Sequence, residues 1–374
     1  FKSTYIELNI FFDEKIIDVE GKRDIEDIKF ANFRKIITNS LDNYFPEVEK
    51  REEKRKLHEF ISSSEEKNLM NLVLSDQELI GKSKQLWLLA SSTIDVIHKN
   101  PEMERIVESD RLVDDLELSW FKTFKENGNL KFGFNKNFFS KADSTEPEQA
   151  GVLGSMLGSF FTLLITLILS FPIAVAAGVF LEELAPKNRF TDFIEVNVNN
   201  LAAVPSIVFG LLGLAIFLNF LGMPRSAPLV GGVVLALMTL PTIIIAARAA
   251  LKSVPQSIRE AAVGLGASRN QVVFHHVLPL AMPGVLTGTI IGMARALGET
   301  APLLMIGMVA FIVDIPGGIT DPATALPVQI YLWADSPERA FVERTSAAVI
   351  VLLGFLITMN VLAAVLRKKF ERQW

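Results

Sequence analysis

Residues 254–279 read VPQSIREAAVGLGASRNQVVFHHVLP, and residues 280–313 continue LAMPGVLTGTIIGMARALGETAPLLMIGMVAFIV. The first part is polar and basic. The second part is a long apolar stretch that contains one base and one acid, Arg295 and Glu299. A continuous apolar segment of about 20 residues is long enough to cross a membrane. The stretch therefore predicts a polar hairpin at a membrane surface, followed by a transmembrane helix.

Capping residues predict two short helices within the hairpin. Ser253–Pro255 is a favourable helix start, and Gly264 and Gly266 are favourable helix ends, because glycine enters the left-handed region easily. Ser268 is expected to cap a second short helix, and Pro279 to open the next one. These signals are equally consistent with an ordinary loop between two membrane helices.

The spacing within this hairpin resembles the EAA loop of ATP-binding-cassette (ABC) import permeases. The matching residues are Glu260, Ala261, Ala262, Gly266, Leu278 and Pro279. In that family the loop is the cytoplasmic coupling helix that docks in a groove of the ATPase subunit. The resemblance implies that residues 254–278 couple this chain to an ATPase, with the two alanines allowing close approach of the partner.

Two further segments, ALGETAPLL at 296–304 and VPSIVFG at 204–210, resemble the phosphate-specific permeases of the PstA type. The resemblance covers residues 150–374 well, and residues 1–150 only as the long N-terminal extension of some such permeases. It implies a mostly α polytopic protein of the type I ABC importer permease class. It also implies three kinds of partner: ABC ATPase subunits (PstB-like), a second permease (PstC-like) and a periplasmic phosphate-binding protein (PstS-like).

Composition separates two domains. Half of the residues are hydrophobic and the mean hydropathy is +0.34, which is typical of a membrane protein. Residues 1–150 hold 23 basic and 30 acidic residues, against 14 and 12 in residues 151–374. A soluble domain at 1–150 and a transmembrane domain at 151–374 are therefore expected. The net charge of −5 without a basic patch argues against nucleic-acid binding. Without cysteine or clustered histidine, neither a metal nor a cofactor is expected.

The first 150 residues predict a small α+β domain. Residues 4–12 and 129–139 are expected to be strands that pair with each other where the domain meets the membrane. Helical patterns lie between them, at about 30–45, 49–62, 86–98 and 110–127. The last helix is expected to bury Leu112, Leu116, Trp120 and Phe124 on one face.

Five apolar segments follow, at about 152–181, 195–221, 228–250, 279–301 and 345–366. Each is long enough to cross a hydrocarbon core about 30 Å thick. Ten basic residues lie in the loops on one side and three on the other, which predicts that the hairpin and the C-terminus are cytoplasmic. Residues 1–150 would then be extracytoplasmic, in a bacterial inner-membrane protein surrounded by lipid. A further transmembrane helix is expected upstream of Phe1.

Glycines and small residues recur every four positions in the fourth segment. The stripe consists of Gly284, Gly288, Gly292, Ala296 and Thr300. Such stripes allow helix backbones to approach closely in lipid. The partner is expected to be a helix of the same chain or of a second permease subunit.

Arg295 and Glu299 are the candidate residues of a translocation path. Ionisable side chains at membrane depth are costly and commonly face a cavity. A structural ion pair is the alternative, but the Arg-before-Glu order is the less favourable one in a helix. The resemblance implies a transport role for both residues. Arg248, at the cytoplasmic end of the third segment, is a further candidate, with a positive-inside anchor as its alternative.

Two other segments carry polar or aromatic residues. Asn197, Asn199 and Asn200 are expected to hydrogen-bond across helices, and Pro205 could instead provide a kink that gates the path. Residues 327–333 predict an interfacial segment with an aromatic anchor.

The sequence therefore predicts a permease subunit of an ATP-driven phosphate importer that works by alternating access. It contains no GxxxxGK[ST] motif, so ATP hydrolysis is expected from a partner and the chain is not expected to be an enzyme. The alternatives are a permease for another oxyanion or solute, a secondary transporter or channel without an ATPase, and a membrane-bound sensor.

Overall fold

The chain is divided into two compact units. The computed structural model describes residues 1–18, 24–108, 111–309 and 311–370. The first unit comprises Phe1–Ser140 and Ser144–Gly151, and the second comprises Lys141–Asp143 and the residues from Val152 onward. This division falls next to the domain boundary predicted at residue 150.

The first unit contains a three-stranded antiparallel sheet in the order β2-β1-β3. The strands are β1 (Lys2–Phe11), β2 (Ser83–Leu89) and β3 (Leu130–Phe134). The predicted pairing of the first and last strands is confirmed. The helix predicted at 86–98 is wrong in its first half, because residues 83–89 pair with β1 and are held extended. The strand predicted at 129–139 is also too long, since a helix occupies its second half.

Eight α-helices and two short 3-10 helices, Gln77–Leu79 and Pro101–Arg105, occur among the described residues of the first unit. The α-helices are α1 (Glu14–Ile17), α2 (Ile25–Phe30), α3 (Phe33–Tyr44), α4 (Arg51–His58), α5 (Ser64–Ser75), α6 (Ser92–Lys99), α7 (Asp115–Glu126) and α8 (Lys136–Ser140). Helix α7 begins after Asp114, which forms a capping box with Glu117. Asp110, the predicted start, lies outside the described residues. The predicted buried face is half wrong, since Trp120 and Phe124 are buried but Leu112 and Leu116 are exposed.

A polar contact joins α6 to the sheet of the first unit. The backbone N–H of Thr4 donates to Oδ1 of Asp95 at 2.8 Å, and its Oγ1 lies 3.1 Å from Nδ1 of His98. The ring of His98 also stacks on Phe132 of β3, with centroids 4.0 Å apart. Burial, and secondarily the positive charge of Lys125, lowers the pKa of His98 below its ordinary value. The neutral imidazole is therefore the form that this packing favours.

Helices form the second unit. They are α9 (Leu153–Val179), α10 (Arg189–Ala202), α11 (Ser206–Leu212), α12 (Pro228–Lys252), α13 (Gln256–Gly264), α14 (Arg269–Gln271), α15 (Leu278–Gly298), α16 (Ala301–Met305), α17 (Leu326–Ala334) and α18 (Ala340–Phe370). Three π-helical segments join or extend them, at Phe180–Leu184, Gly213–Phe220 and Val272–Val277. The second unit is thus helical throughout its described secondary structure.

Four helices in the described residues are long and apolar enough to cross a membrane. They are Leu153–Leu184, Pro228–Lys252, Arg269–Gly298 and Ala340–Lys369. The segment predicted as a span at 195–221 is instead a pair of helices, α10 and α11, bent by 102° at a short break. Pro205 causes the break, because proline lacks a backbone N–H and disfavours helical geometry in the residue before it. Counting this pair as one span gives five.

Small residues bring α9, α12 and α15 together. A Cβ atom at Gly178 of α9 would lie 2.9 Å from Cβ of Ala247 in α12. On the other side of α12, Gly284 faces Ala250 and Gly288 faces Ala246. The small-residue stripe of α15 therefore packs within the chain, against an antiparallel helix, which is the first of the two partners considered for it.

Helix α17 packs into the second unit and does not form an aromatic anchor at an interface. Trp333 is buried, and its Nε1 donates to Oδ1 of Asp143 at 2.9 Å. The backbone N–H of Leu326 donates to Oγ of Ser159 in α9 at 2.8 Å. Trp333 is therefore not an exposed aromatic anchor, whereas the interfacial position of residues 327–333 stays a prediction.

Candidate functional site

Local sequence determines the turn of the hairpin. Helix α13 ends at Gly264, and Gly266 adopts a φ of +88°, a conformation that glycine alone enters at low cost. Ser268 caps the next helix: its Oγ accepts the N–H of Gln271, whose Oε1 accepts the N–H of Ser268 at 2.8 Å. The predicted helix end and second cap are therefore confirmed.

The two outer boundaries of the hairpin differ in part from the prediction. Ser253 does not cap α13. It ends α12, where its Oγ donates to the carbonyl of Ala250 at 2.7 Å. Pro279 lies in the first turn of α15, as predicted, but α15 follows the π-helical segment without a break, so that Arg269–Gly298 is continuous. A proline is tolerated there because neighbouring backbone groups adjust locally.

The tip of the hairpin is exposed and apolar. Glu260 and Ala261 are exposed, but Ala262 is buried in the chain, so only one of the two alanines is available to a partner. Leu278 and Pro279 are half-buried. The side chain of Leu265 is 90% exposed between the two glycines. The sequence signal for this exposed tip is an apolar residue flanked by two glycines, Gly264 and Gly266.

Arg259 ties the hairpin to the helices behind it. Its Nη2 lies 2.6 Å from Oε1 of Glu183, which follows α9. The same guanidinium donates to the carbonyls of Leu251 at 2.9 Å and Val254 at 2.6 Å. Arg269 reaches the same turn, since its Nη2 donates to the carbonyl of Glu183 at 2.5 Å. The adjacent acids Glu182 and Glu183, directly after an apolar span, were the sequence signal for this contact.

Arg248 is held by two carboxylates. Its Nη1 lies 2.8 Å from Oε1 of Glu195 in α10, and its Nε lies 3.4 Å from Oε2 of Glu182. The arginine therefore joins α12, α10 and the turn after α9. Because its charge is already offset, this geometry favours the anchor over a role in the path.

Arg295 and Glu299 lie at the end of α15 rather than inside a continuous helix. Glu299 is the C-cap residue with extended backbone, and its Oε1 lies 3.4 Å from Nε of Arg295. The side chain of Arg295 is 50% exposed and that of Glu299 is 18% exposed. Within the described residues, Glu299 is the one side chain hydrogen-bonded to Arg295. The guanidinium thus keeps further donors for an anion.

The depth of Arg295 follows from the pairing of α15 with α12. Gly292 faces Ile243, so Arg295, three residues further on, lies at the level of the middle of Pro228–Lys252. Since α12 is long enough to span a membrane, the guanidinium lies far from both of its ends. A charge at that depth is costly unless it faces a partner or an aqueous cavity.

Two broken helices meet near this pair. The chain leaves helical geometry at 203–205 and again at 299–300. The segments after the breaks pack together, because a Cβ at Gly210 of α11 would lie 2.7 Å from Cα of Pro302 in α16. Irregular backbone at membrane depth is tolerated where it is buried in protein or lines a water-filled cavity. The predicted kink at Pro205 is confirmed, and its role in gating a path stays a prediction.

Asn197 was predicted to hydrogen-bond across helices, and this prediction is wrong. Its Nδ2 donates to the carbonyl of Phe193 in the same helix at 2.7 Å. Asn199 and Asn200 are exposed on α10. No group of three or more His, Cys, Asp or Glu side chains that could hold a metal occurs in the described parts of the chain.

Comparisons with known proteins match two different families to the N-terminal and C-terminal parts of the chain. A family described as a domain of unknown function (DUF3333) matches residues 1–108, and one described as binding-protein-dependent transport system inner membrane component matches residues 150–373. The chain is 35% identical over 179 residues to the probable ABC transporter permease YqgI of Bacillus subtilis, covering 48% of this chain and 60% of YqgI. It therefore spans less than two thirds of that relative.

Phosphate permeases are among the other relatives. The chain is 31% identical over 223 residues to phosphate transport system permease protein PstA 1 of Mycobacterium tuberculosis, covering 59% of this chain and 72% of that protein. A chain in the solved inward-facing structure of the MetNI methionine ABC transporter is 19% identical, with a TM-score of 0.48, and covers 58% of this chain and 95% of that one.

Proposed function

This chain belongs to the family of binding-protein-dependent transport system inner membrane components, and from that premise we propose that it is a permease subunit of an ATP-driven phosphate importer. The observation that supports the substrate is its 31% identity to a phosphate transport permease over 72% of that protein's length. The subunit forms part of the translocation path and does not hydrolyse ATP itself.

The proposed path passes Arg295. Phosphate is an anion, and a positive group offsets part of its desolvation in a low-dielectric pathway. Arg295 is half-exposed and retains unused donors, whereas Arg248 is held by two carboxylates. Glu299 orients the guanidinium and limits its attraction, so that the anion can leave again. The adjoining breaks in α10–α11 and α15–α16 provide the irregular backbone that a lined path permits.

The proposed ATPase contact is the exposed tip of the hairpin. Leu265 projects as an apolar knob, with Glu260 and Ala261 exposed on the preceding helix. Movement of the tip reaches the membrane helices through Arg259, which contacts both the end of α9 and the end of α12. Residues 254–278 thus couple ATP-driven closure to the path by alternating access.

The remaining partners and the location belong to the same proposal. We place the protein in the bacterial inner membrane, with ABC ATPase subunits in the cytoplasm, a second permease beside it and a periplasmic phosphate-binding protein outside. Residues 1–150 are then extracytoplasmic. Single cysteines can test this orientation because the chain has none of its own. Labelling of position 259 from outside intact cells, or failure to label an exposed position such as 30, would contradict it.

Uptake of radiolabelled phosphate tests the substrate and the energy source together. The chain and its partners are expressed in cells that lack their own high-affinity phosphate uptake, and a variant of the ATPase that cannot hydrolyse ATP serves as the control. ATP-dependent phosphate uptake is expected. Uptake that persists with the inactive ATPase would indicate a channel or secondary transporter. ATP-dependent uptake of sulfate or molybdate but not phosphate would assign another oxyanion.

A further inference from the structure

An apolar cleft lies between three helices of the second unit, α9, α15 and α18. Its volume is about 120 Å³. The lining includes Leu163 and Leu167 of α9, Leu286 and Met293 of α15, and Met359 and Leu366 of α18. An apolar cavity of roughly this size stays dry and takes up small apolar groups, as the benzene-binding cavity of about 150 Å³ in an engineered protein does.

One end of the cleft is marked by positive charge. Leu286 and Leu366 line the cleft, and the residue after each, Thr287 and Arg367, forms a polar contact: Nη1 of Arg367 donates to Oγ1 of Thr287 at 3.4 Å. Lys368 and Lys369 follow Arg367 and are exposed. The cleft therefore runs from an apolar interior to Arg367 at the end of α18, which we call the basic end; Lys368 and Lys369 point to other faces of the helix, since successive residues lie about 100° apart.

Helix α18 leaves this cleft accessible from the bilayer. No residue in the most apolar stretch of this helix is buried inside the chain. Val361, Leu362 and Val365 on this helix are exposed, as expected for side chains that face lipid tails. A groove beside such a helix is in direct contact with lipid unless another protein covers it.

We propose that this cleft is a binding site for an anionic phospholipid. One acyl chain lies between α9, α15 and α18, and the phosphate group lies against the basic end. Charge complementarity favours this occupant, because an apolar groove that ends at an exposed arginine at the end of a membrane helix matches a lipid with a negative headgroup. Arg295 does not line this cleft, although its neighbour Ala294 does, and the proposal does not depend on the transported substrate.

A photoreactive lipid tests the proposal on the intact chain. The protein is reconstituted with its partners into nanodiscs that contain equal amounts of phosphatidylglycerol and phosphatidylcholine. One of the two lipids at a time carries a diazirine on the acyl chain. After illumination, crosslinked peptides are located by mass spectrometry. We expect crosslinks to α15 and α18 within the cleft, several-fold more from phosphatidylglycerol than from phosphatidylcholine. An excess of inorganic phosphate is expected to leave them unchanged.

Three variants distinguish the contribution of the acyl chain to binding from that of the headgroup. Ala363→Trp fills the cleft, since Ala363 lines it, and is expected to abolish the crosslinks. Arg367→Gln is expected to keep the tail crosslinks but lose the preference for phosphatidylglycerol. Val361→Trp adds the same ring to the exposed side of α18 and is the matched control, with crosslinks unchanged.

Four results would overturn the site. They are equal crosslinking by both lipids, a wild-type crosslinking pattern in Ala363→Trp, a retained preference for phosphatidylglycerol in Arg367→Gln, and crosslinks from cleft positions to a partner protein in place of lipid. Because Arg367 is exposed, we expect Arg367→Gln to assemble normally, so the proposal remains testable even if Ala363→Trp fails to assemble.

Discussion

The guanidinium of Arg259 lies 2.6 Å from the carboxylate of Glu183, and this largely buried ion pair joins the hairpin to the end of α9. The same arginine donates to two carbonyls at the end of α12. One side chain therefore connects the proposed ATPase contact to two membrane helices.

Replacing either member of this pair should uncouple ATP hydrolysis from transport. We expect Arg259→Gln and Glu183→Gln complexes to assemble, but phosphate uptake to fall by about 5- to 150-fold, the usual range of coupling between two sites. Uptake and ATPase activity are measured on the same proteoliposomes. Lys252→Gln, an exposed charge at the same end of α12, is the control. Normal uptake in both pair variants would show that coupling does not pass through this contact.

The tip of the hairpin should bind the ATPase through Leu265. Leu265→Asp is expected to reduce copurification of the ATPase, because it places a charge in an apolar contact. Gly266→Val should do the same by a different route, since a branched residue at a φ of +88° is strained by about 1–2 kcal/mol.

The neighbouring glycine provides the control for the tip. Gly264→Ala should have no effect, because Gly264 has ordinary helical geometry and an added Cβ would meet nothing within 4 Å. Full copurification of the ATPase with Leu265→Asp would place its docking surface elsewhere.

Arg295 and Glu299 should differ in their importance for uptake. Arg295→Gln removes the positive group and leaves Glu299 without its partner, so uptake of labelled phosphate is expected to fall to background. Glu299→Gln keeps the cation and should impair uptake less. Loss of a hydrogen bond to a charged group is typically worth about 1.5–3 kcal/mol, or roughly tenfold or more in rate. Arg225→Gln, an exposed arginine in a loop, is the control. Wild-type uptake by Arg295→Gln would make the pair structural.

The contact between α12 and α15 should be intolerant of a single added methyl group. A Cβ at Gly288 would overlap Cβ of Ala246, and overpacking of this kind typically costs about 1–3 kcal/mol. We expect Gly288→Ala to lower the temperature at which the detergent-solubilised protein loses its monodisperse peak.

A second substitution should reverse that loss. The double variant Gly288→Ala with Ala246→Gly restores the total volume and should recover stability, whereas Gly298→Ala should have no effect because space is open there. A double variant as unstable as Gly288→Ala would argue against this helix contact.

Acidification should destabilise the first unit through His98. Its pKa is lowered in the folded state, chiefly by burial, so the unfolded chain binds a proton at a higher pH than the folded one. The stability present above the unfolded pKa of about 6.5 is lost as the pH falls towards the lower folded pKa. In a fragment of residues 1–151, wild type should lose more thermal stability between neutral and mildly acidic pH than His98→Gln. If the thermal stability of wild type and of His98→Gln falls equally with pH, the assignment to His98 is contradicted.

Local signals decided which parts of the hairpin could be predicted. Gly266 and Ser268 act on backbone groups within a few residues, so the sequence contains all that their turn and cap require. The prediction that Ser253 caps α13 is wrong because its hydroxyl instead donates to the carbonyl of Ala250, at the end of the preceding helix. The burial of Ala262 depends on helices distant in sequence and is not visible from its spacing.

The features that the sequence did not predict depend on tertiary contacts. Residues 83–89 have no distinct strand pattern and are extended because β1 lies alongside them. Pro205 indicated a kink, but the 102° bend also needs a partner, which α16 provides through Pro302 packed on Gly210. The two carboxylates around Arg248 come from separate helices. No local pattern in the sequence brings such residues together.

The π-helical segment Val272–Val277 lies between the hairpin and the helix that bears Arg295. A π turn closes its hydrogen bond one residue later than an α turn. Converting this segment to α-helix would shift the register between its two ends by one residue. Successive residues lie about 100° apart around an α-helix, so Arg295 would swing by that angle relative to Leu265. The segment between the proposed ATPase contact and the proposed anion path could therefore transmit a rotation of Arg295 as well as a displacement along the helix axis.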